Sequence, residues 1–257
     1  MRSPSHPSLR QQDHRPWPLS RGPWVITMRW HDLLFAHWPV PADALRAHLP
    51  PGLDLDLFEG EAWLGLVPFR MTGVRPRLTP GVPGAMSFPE INLRTYVTAP
   101  EDGAPRPGVW FFSLDATSRL AVRAARATFQ VPYFDARMSC EPRGQDGIRY
   151  SHRRTHRGAP PAAFEADYAP MGDLDPARPG SLEHWLIERY CMYGADRQRR
   201  PYRAHIHHVS WPLQPAQAEI RTNTMTEQIG VTLPDCEPLL HFARELDVVA
   251  WAPRRVT

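Results

Sequence analysis

Proline limits what this chain can become more than any other feature. Thirty of its 257 residues are proline, more than double the usual share of about 5%. Each proline fixes φ and removes a backbone donor, so a dense scatter of them breaks long helices and is tolerated at strand edges and turns. The chain therefore predicts a mainly β fold of many strands joined by turns. Its length suits one large β-barrel or sandwich, or two small domains. That length buries roughly 70–75% of the unfolded surface, so neither disulfide nor structural metal is required.

The 30 basic residues are all arginine. Without lysine there is no side-chain amine for a Schiff base, which excludes lysine-dependent aldolase, decarboxylase and pyridoxal phosphate chemistry. A formal net charge of +3 is too small to imply a nucleic-acid or membrane partner. Cys140, Cys191 and Cys236 are far apart and odd in number. This is the pattern of reduced thiols in a cytoplasmic protein rather than of a disulfide framework or a cysteine zinc site. No apolar run approaches the 18 or so residues of a membrane span. Residues 1–22 lack the apolar centre of a secretory signal and read as a disordered tail, leaving residues 23–257 as a single β-barrel domain.

Periodicity places the elements. Trp24, Ile26, Met28 and Trp30 alternate with Val25, Thr27, Arg29 and His31, giving a strand with one apolar face. Residues 41–49 read as a short helix begun by Pro41. Residues 53–57 and 63–69, turning at Glu59-Gly60, read as a hairpin. Residues 70–86 read as a loop. Residues 88–98, 109–114, 131–139, 148–156, 205–211, 218–223 and 239–251 read as further β segments. Residues 117–129 form the best helix, with Leu120, Ala121, Ala124, Ala127 and Thr128 on one face. Residues 181–190 read as another, with Ser181 as its N-cap.

Several of these segments resemble a known family. Trp30-His31-Asp32-Leu33-Leu34-Phe35-Ala36-His37-Trp38, Glu90-Ile91-Asn92-Leu93-Arg94-Thr95-Tyr96-Val97, Glu188-Arg189-Tyr190, and His207-His208 followed by Trp211-Pro212-Leu213 are similar to the YqjF-like family of uncharacterised proteins. The likeness runs from about Trp24 to Trp251. It implies a branch of the acetoacetate decarboxylase-like superfamily: a closed antiparallel β-barrel with a few flanking helices and a ligand cavity. The resemblance also locates a departure. Where the superfamily's enzymes carry their Schiff-base lysine after a proline turn, this chain has Val131-Pro132-Tyr133-Phe134. Glu90 is the counterpart of a glutamate that matters in those enzymes.

The strand at Glu90 carries the strongest local signal. Period two puts Glu90, Asn92, Arg94 and Tyr96 on one face. That face meets water, forms a structural Glu90–Arg94 pair, or lines a cavity where it can orient and protonate a small acid or carbonyl compound. The candidates are Glu90 and Tyr133 as acid/base groups, with Arg29, Asn92, Arg94 and Tyr96 binding a ligand. His205 and His207 share a strand face, as in cupin-like metal barrels, but the other cupin residues are missing. The arginines at 149, 153, 154 and 157, and at 197, 199, 200 and 203, read as solvated edges, with an anion-binding or nucleic-acid surface as the alternative. Cys191 is a poor nucleophile candidate. The expectation is a protein that binds a small organic ligand in an internal cavity, needs no cofactor or metal, meets neither nucleic acid nor membrane, and leaves a homo-oligomer open. An interaction protein using its arginine surface and a cupin-like metal barrel are the alternatives.

Overall fold

The computed structural model describes residues 6–79 and 86–256. Its strands are β1 (Ile26–Val40), β2 (Asp54–Leu55), β3 (Ala62–Pro76), β4 (Phe88–Thr98), β5 (Pro100–Glu101), β6 (Ala104–Pro105), β7 (Gly108–Ala116), β8 (Tyr133–Arg143), β9 (Gly147–Arg154), β10 (Ala163–Pro170), β11 (Cys191–Ala195), β12 (Pro201–His207), β13 (Leu213–Asn223), β14 (Leu239–Ala250) and β15 (Arg254–Arg255). The helices are α1 (Ala42–Arg46), α2 (Arg119–Phe129) and α3 (Leu182–Ile187). Ser118 and Ser181 cap α2 and α3 by accepting from the amides of Ala121 and His184, which satisfies donors the first turn leaves free.

Nine strands close a barrel in the order β1–β3–β4–β7–β8–β9–β10–β13–β14. A second closure shares five of them. β7 pairs in parallel with β8 through Leu114–Ala116 and with β11 through Val109 and Trp110. β14 likewise pairs β13 near its start and β12 at Val249 and Ala250. The wall β14–β1–β3–β4–β7 thus belongs to two rings, and each of its faces is buried differently. Leu34, Ala36, Leu64, Leu66, Ile91 and Leu93 pack into one core with Tyr150, Phe164 and Phe242. Leu33, Phe35, Val67, Phe69, Phe88 and Phe111 face the other way.

A bulge in β1 makes that wall work. The β1–β3 register shifts between His31 and Ala36, and Asp32 sits in the left-handed region at φ 54°. One extra residue reverses the alternation. Met28 and Trp30 before it and Leu33 and Phe35 after it therefore face the same cavity. Arg70 and Arg244 hold the Asp32 carboxylate at 3.4 and 3.0 Å.

Four local expectations differ from the structure. Residues 53–69 are not a hairpin: β2 pairs with β4, Leu55 opposite Val97. The turn at Glu59 and Gly60, both at positive φ, closes only a Phe58–Glu61 bridge. Burial of Leu53 and Leu55 in the core outweighs local pairing. Residues 70–76 continue β3 rather than entering a loop, and residues 80–85 lie outside the described residues. Within β9, His152 and Arg154 are buried. The strand lies between β8 and β10, so it is not a solvated edge. Finally, residues 6–22 pack on the barrel. Ser8 is buried, His207 meets the Ser8 carbonyl, and Arg15 donates to the Ile206 carbonyl at 3.0 Å and lies over the Tyr190 ring. Residues 1–5 lie outside the described residues.

Candidate functional site

The second ring does not fill with side chains. Between its strands and α2 lies a cavity of about 670 Å³. The helix explains the space. Leu120, Ala121, Ala124, Ala125 and Thr128 line the cavity, and Val122 is the only buried residue of α2. An apolar helix face has been laid over a hollow rather than onto a packed core, and Leu120 remains 62% exposed. Small alanines keep the roof from dropping in.

Polar groups interrupt an otherwise apolar lining at few places. Glu90, 2% exposed, accepts a 2.7 Å hydrogen bond from the Tyr133 hydroxyl. Burial pushes the Glu90 carboxyl up to about 8; the Tyr133 hydrogen bond pulls down and the nearby Asp115 charge adds to the rise. Glu90 is thus a neutral acid at neutral pH. Burial, and then Glu90 itself, holds the Tyr133 phenol well above its ordinary value. Two and four residues along the same strand, Asn92 and Arg94 also line the cavity. Asn92 Oδ1 and Arg94 Nε are buried without a hydrogen-bond partner. Arg94 lies 5.5 Å over the Phe35 ring.

Arg189 and His208 also line the cavity, as do Arg75, Thr79 and Thr128. Arg189 donates to Asp56 at 2.5 Å through one amino group and packs over the rings of Trp185 and Tyr96. Its other amino group, Nη2, is buried and unpartnered. The ring nitrogens of His208 lie 2.8 and 3.2 Å from the carbonyls of Val209 and Arg189. Burial lowers its pKa.

The expected residues divide cleanly. Glu90, Tyr133, Asn92 and Arg94 come together. Arg29 does not join them: it lies on the opposite face of β1 from Met28 and Trp30, exposed and held bidentate by Asp247 at 2.6 and 2.9 Å. Tyr96 is buried beside the cavity without lining it. Its hydroxyl bonds His37 at 2.7 Å, and Trp185 of α3 covers its ring at 4.7 Å. The Glu90–Arg94 ion pair is not formed, because the Glu90 carboxylate meets Tyr133 instead. Of the adjacent aromatics Tyr133 and Phe134, Tyr133 enters the cavity. Phe134 packs beneath the Arg154 guanidinium on the other side.

The histidines also separate. His205 meets Glu101 and His207 meets Ser8, while His208 lines the cavity. Among the described residues, no three His, Cys, Asp or Glu side chains gather as a metal-holding group. The arginines are largely spent on carboxylates: Arg149 and Arg221 on Asp167, Arg203 on Glu101, Arg200 on Asp196. Among the described residues, no helix is long and apolar enough to cross a membrane. Sequence reasoning missed Arg189 and His208 as cavity residues. Both lie in segments that carry the family resemblance, which was the available signal, but neither sits in a periodic pattern that would aim it inward.

The overall fold is shared with solved structures. MppR, an enduracididine biosynthesis enzyme complexed with pyruvate, superposes with a TM-score of 0.61 at 14% identity, covering 92% of this chain and 91% of that one. An acetoacetate decarboxylase-like enzyme from Sphingomonas wittichii RW1 gives 0.59 at 14% identity over 94% and 97%. Acetoacetate decarboxylase from Legionella pneumophila gives 0.56 at 13% identity over 95% and 93%. At such identities the likeness is one of fold, and the fold is that of the acetoacetate decarboxylase-like proteins. Within that class, the chain belongs to the DUF2071 family, described as an uncharacterized conserved protein, whose profile matches residues 27–247. The uncharacterized protein YqjF of Bacillus subtilis (strain 168) is 47% identical over 234 residues, 91% of this chain and 93% of its own length.

Proposed function

We propose that the cavity takes a small organic ligand bearing a carboxylate or carbonyl group and holds it without an imine. One observation carries this reading. Among the described residues, five buried polar atoms, Trp30 Nε1, Asn92 Oδ1, Arg94 Nε, Arg189 Nη2 and Trp211 Nε1, lie without partners on residues that line an apolar cavity. Leaving such groups unsatisfied costs about 1–3 kcal/mol each; a carboxylate between the two guanidinium groups removes that cost for Arg94 and Arg189, while Asn92 Oδ1 calls for a donor elsewhere on the ligand. Glu90, neutral near pH 7, donates to a second oxygen of the ligand, and Tyr133 fixes its orientation. In any turnover this pair is the proton source, since no lysine stands in the cavity. MppR, a structural neighbour complexed with pyruvate, supports an acid in this place.

The reading is tested by native mass spectrometry of the purified protein, followed by titration with pyruvate and larger organic acids. The expected result is a bound acid, released by denaturation, and loss of binding in Arg94→Ala. A protein that carries no ligand and takes up none of these acids would sink it.

A further inference from the structure

Size and polarity say more about the ligand than its acid group. A cavity of about 670 Å³ falls within the range of roughly 300–1,000 Å³ found for pockets that hold drug-sized molecules. An acid as small as pyruvate leaves most of it empty. The polar groups also lie far apart. Glu90 and Arg94 are four residues apart on one strand, about 13 Å between their backbones at the usual strand rise, so they mark two stations along the cavity.

The ladder orders the two ends. Gly65 of β3 lies opposite Arg94 of β4, and Pro76, far along β3, pairs with Ile26 of β1. At the guanidinium end the lining holds Arg94 and Arg189. At the other the lining is mostly apolar, with Ile26, Met28, Val74, Met86, Phe88 and Leu120, and with Arg75 and Thr79 at its edge. Among the described residues, side chains leave this end open, because α2 offers alanines there and its Leu120 stays 62% exposed.

We infer that the ligand is an amphipathic acid, its carboxylate between Arg94 and Arg189 and a hydrocarbon chain or ring system running beneath α2 past Glu90 toward Ile26 and Leu120. The inference rests on the carboxylate reading above and adds the hydrocarbon portion. Burying that portion against Met28, Phe88 and Leu120 removes apolar surface from water on both partners. Glu90 then meets an oxygen carried partway along the ligand, not its terminal carboxylate.

Calorimetric titration of the intact protein with pyruvate and with straight-chain carboxylates from acetate to tetradecanoate separates the two claims. Affinity is expected to rise about fourfold per added methylene and to level off once the cavity is full. Binding of pyruvate and acetate with affinity that stays flat or falls as the chain lengthens overturns the amphipathic ligand and leaves the carboxylate site standing. Binding of no acid at any length overturns both. Ala121→Trp places a ring in the proposed hydrocarbon path, so the level region should move to shorter acids. An unmoved plateau in the folded variant overturns the placement beneath α2, and the wild-type series decides alone should the variant not fold.

Discussion

Two buried carboxylates stand on neighbouring strands of the shared wall, one residue apart in register: Ile91 pairs with Asp115, and Glu90 with Ala116. They face opposite sides and are treated oppositely. Asp115 looks into the nine-strand barrel, where Arg154 grips it bidentately at 2.7 and 2.8 Å and His152 adds a third contact at 2.9 Å. Glu90 looks into the cavity and receives one hydroxyl. Asp115 is answered by three hydrogen bonds, two of them from a guanidinium; Glu90 has one partner, beside open space, and is kept neutral. Burial alone does not decide how a carboxylate is held. The number and charge of its partners do.

Arg154→Ala should break the comparison most severely. It strands the Asp115 charge in the barrel interior, and removal of one member of a buried pair costs about 3–5 kcal/mol. At roughly 2–4 °C per kcal/mol for a chain of this size, thermal melting should show a drop of ten degrees or so. A drop under two degrees would mean that Asp115 is solvated and the contrast false.

Glu90→Gln should do the reverse. Wild-type Glu90 has its native pKa at about 8, above the ordinary carboxyl value of about 4.3. Between those two values the folded chain holds a proton that the unfolded chain has released, so stability falls as pH rises through that window. Gln keeps the shape and abolishes the titration. Melts at pH 5 should nearly coincide, and at pH 9 the variant should melt several degrees above wild type. Parallel profiles at the two pH values would place Glu90 in water.

Tyr133→Phe should have a smaller effect. It removes the single hydrogen bond to Glu90, worth about 1 kcal/mol, and raises the Glu90 pKa further, which difference spectroscopy or NMR titration of the carboxyl would register. A lowered Glu90 pKa would contradict the assigned donor. Arg29→Ala should matter least. Its pairs with Asp247 and Glu245 are exposed, so melting should shift by no more than about 1 kcal/mol, and acid binding should not change at all. Weakened acid binding would return Arg29 to the site.

Period two made much of the site readable. It aligned Glu90, Asn92 and Arg94 and put Met28 and Trp30 on one apolar face; the same rule turns Arg29 away from that face, against its expected place among the ligand-binding residues. What it cannot see is a partner far along the chain. Trp185 covers Tyr96, Asp115 draws His152 and Arg154 inside, and Leu55 chooses Val97 over the strand just after it. Nor does alternation announce its own reversal at Asp32, since aspartate in the left-handed region leaves no mark in a hydropathy pattern. The tail misread has a similar source. Residues 6–22 are polar, and it is Arg15 and His14 reaching backbone carbonyls of β12 and the residue after it that hold them down.

The wall's double membership has a consequence in time. β1 finds its β14 partner roughly 200 residues later, and at a synthesis rate of about 5–20 residues per second the ribosome takes on the order of 10–40 seconds to supply it. Until then neither ring can close, and Met28, Trp30, Leu33, Leu34 and Phe35 have no second wall to face. The nascent chain therefore waits with its most apolar strand unpaired on one edge, which makes it a client for whatever shields such edges, and a single late event creates both the core and the cavity.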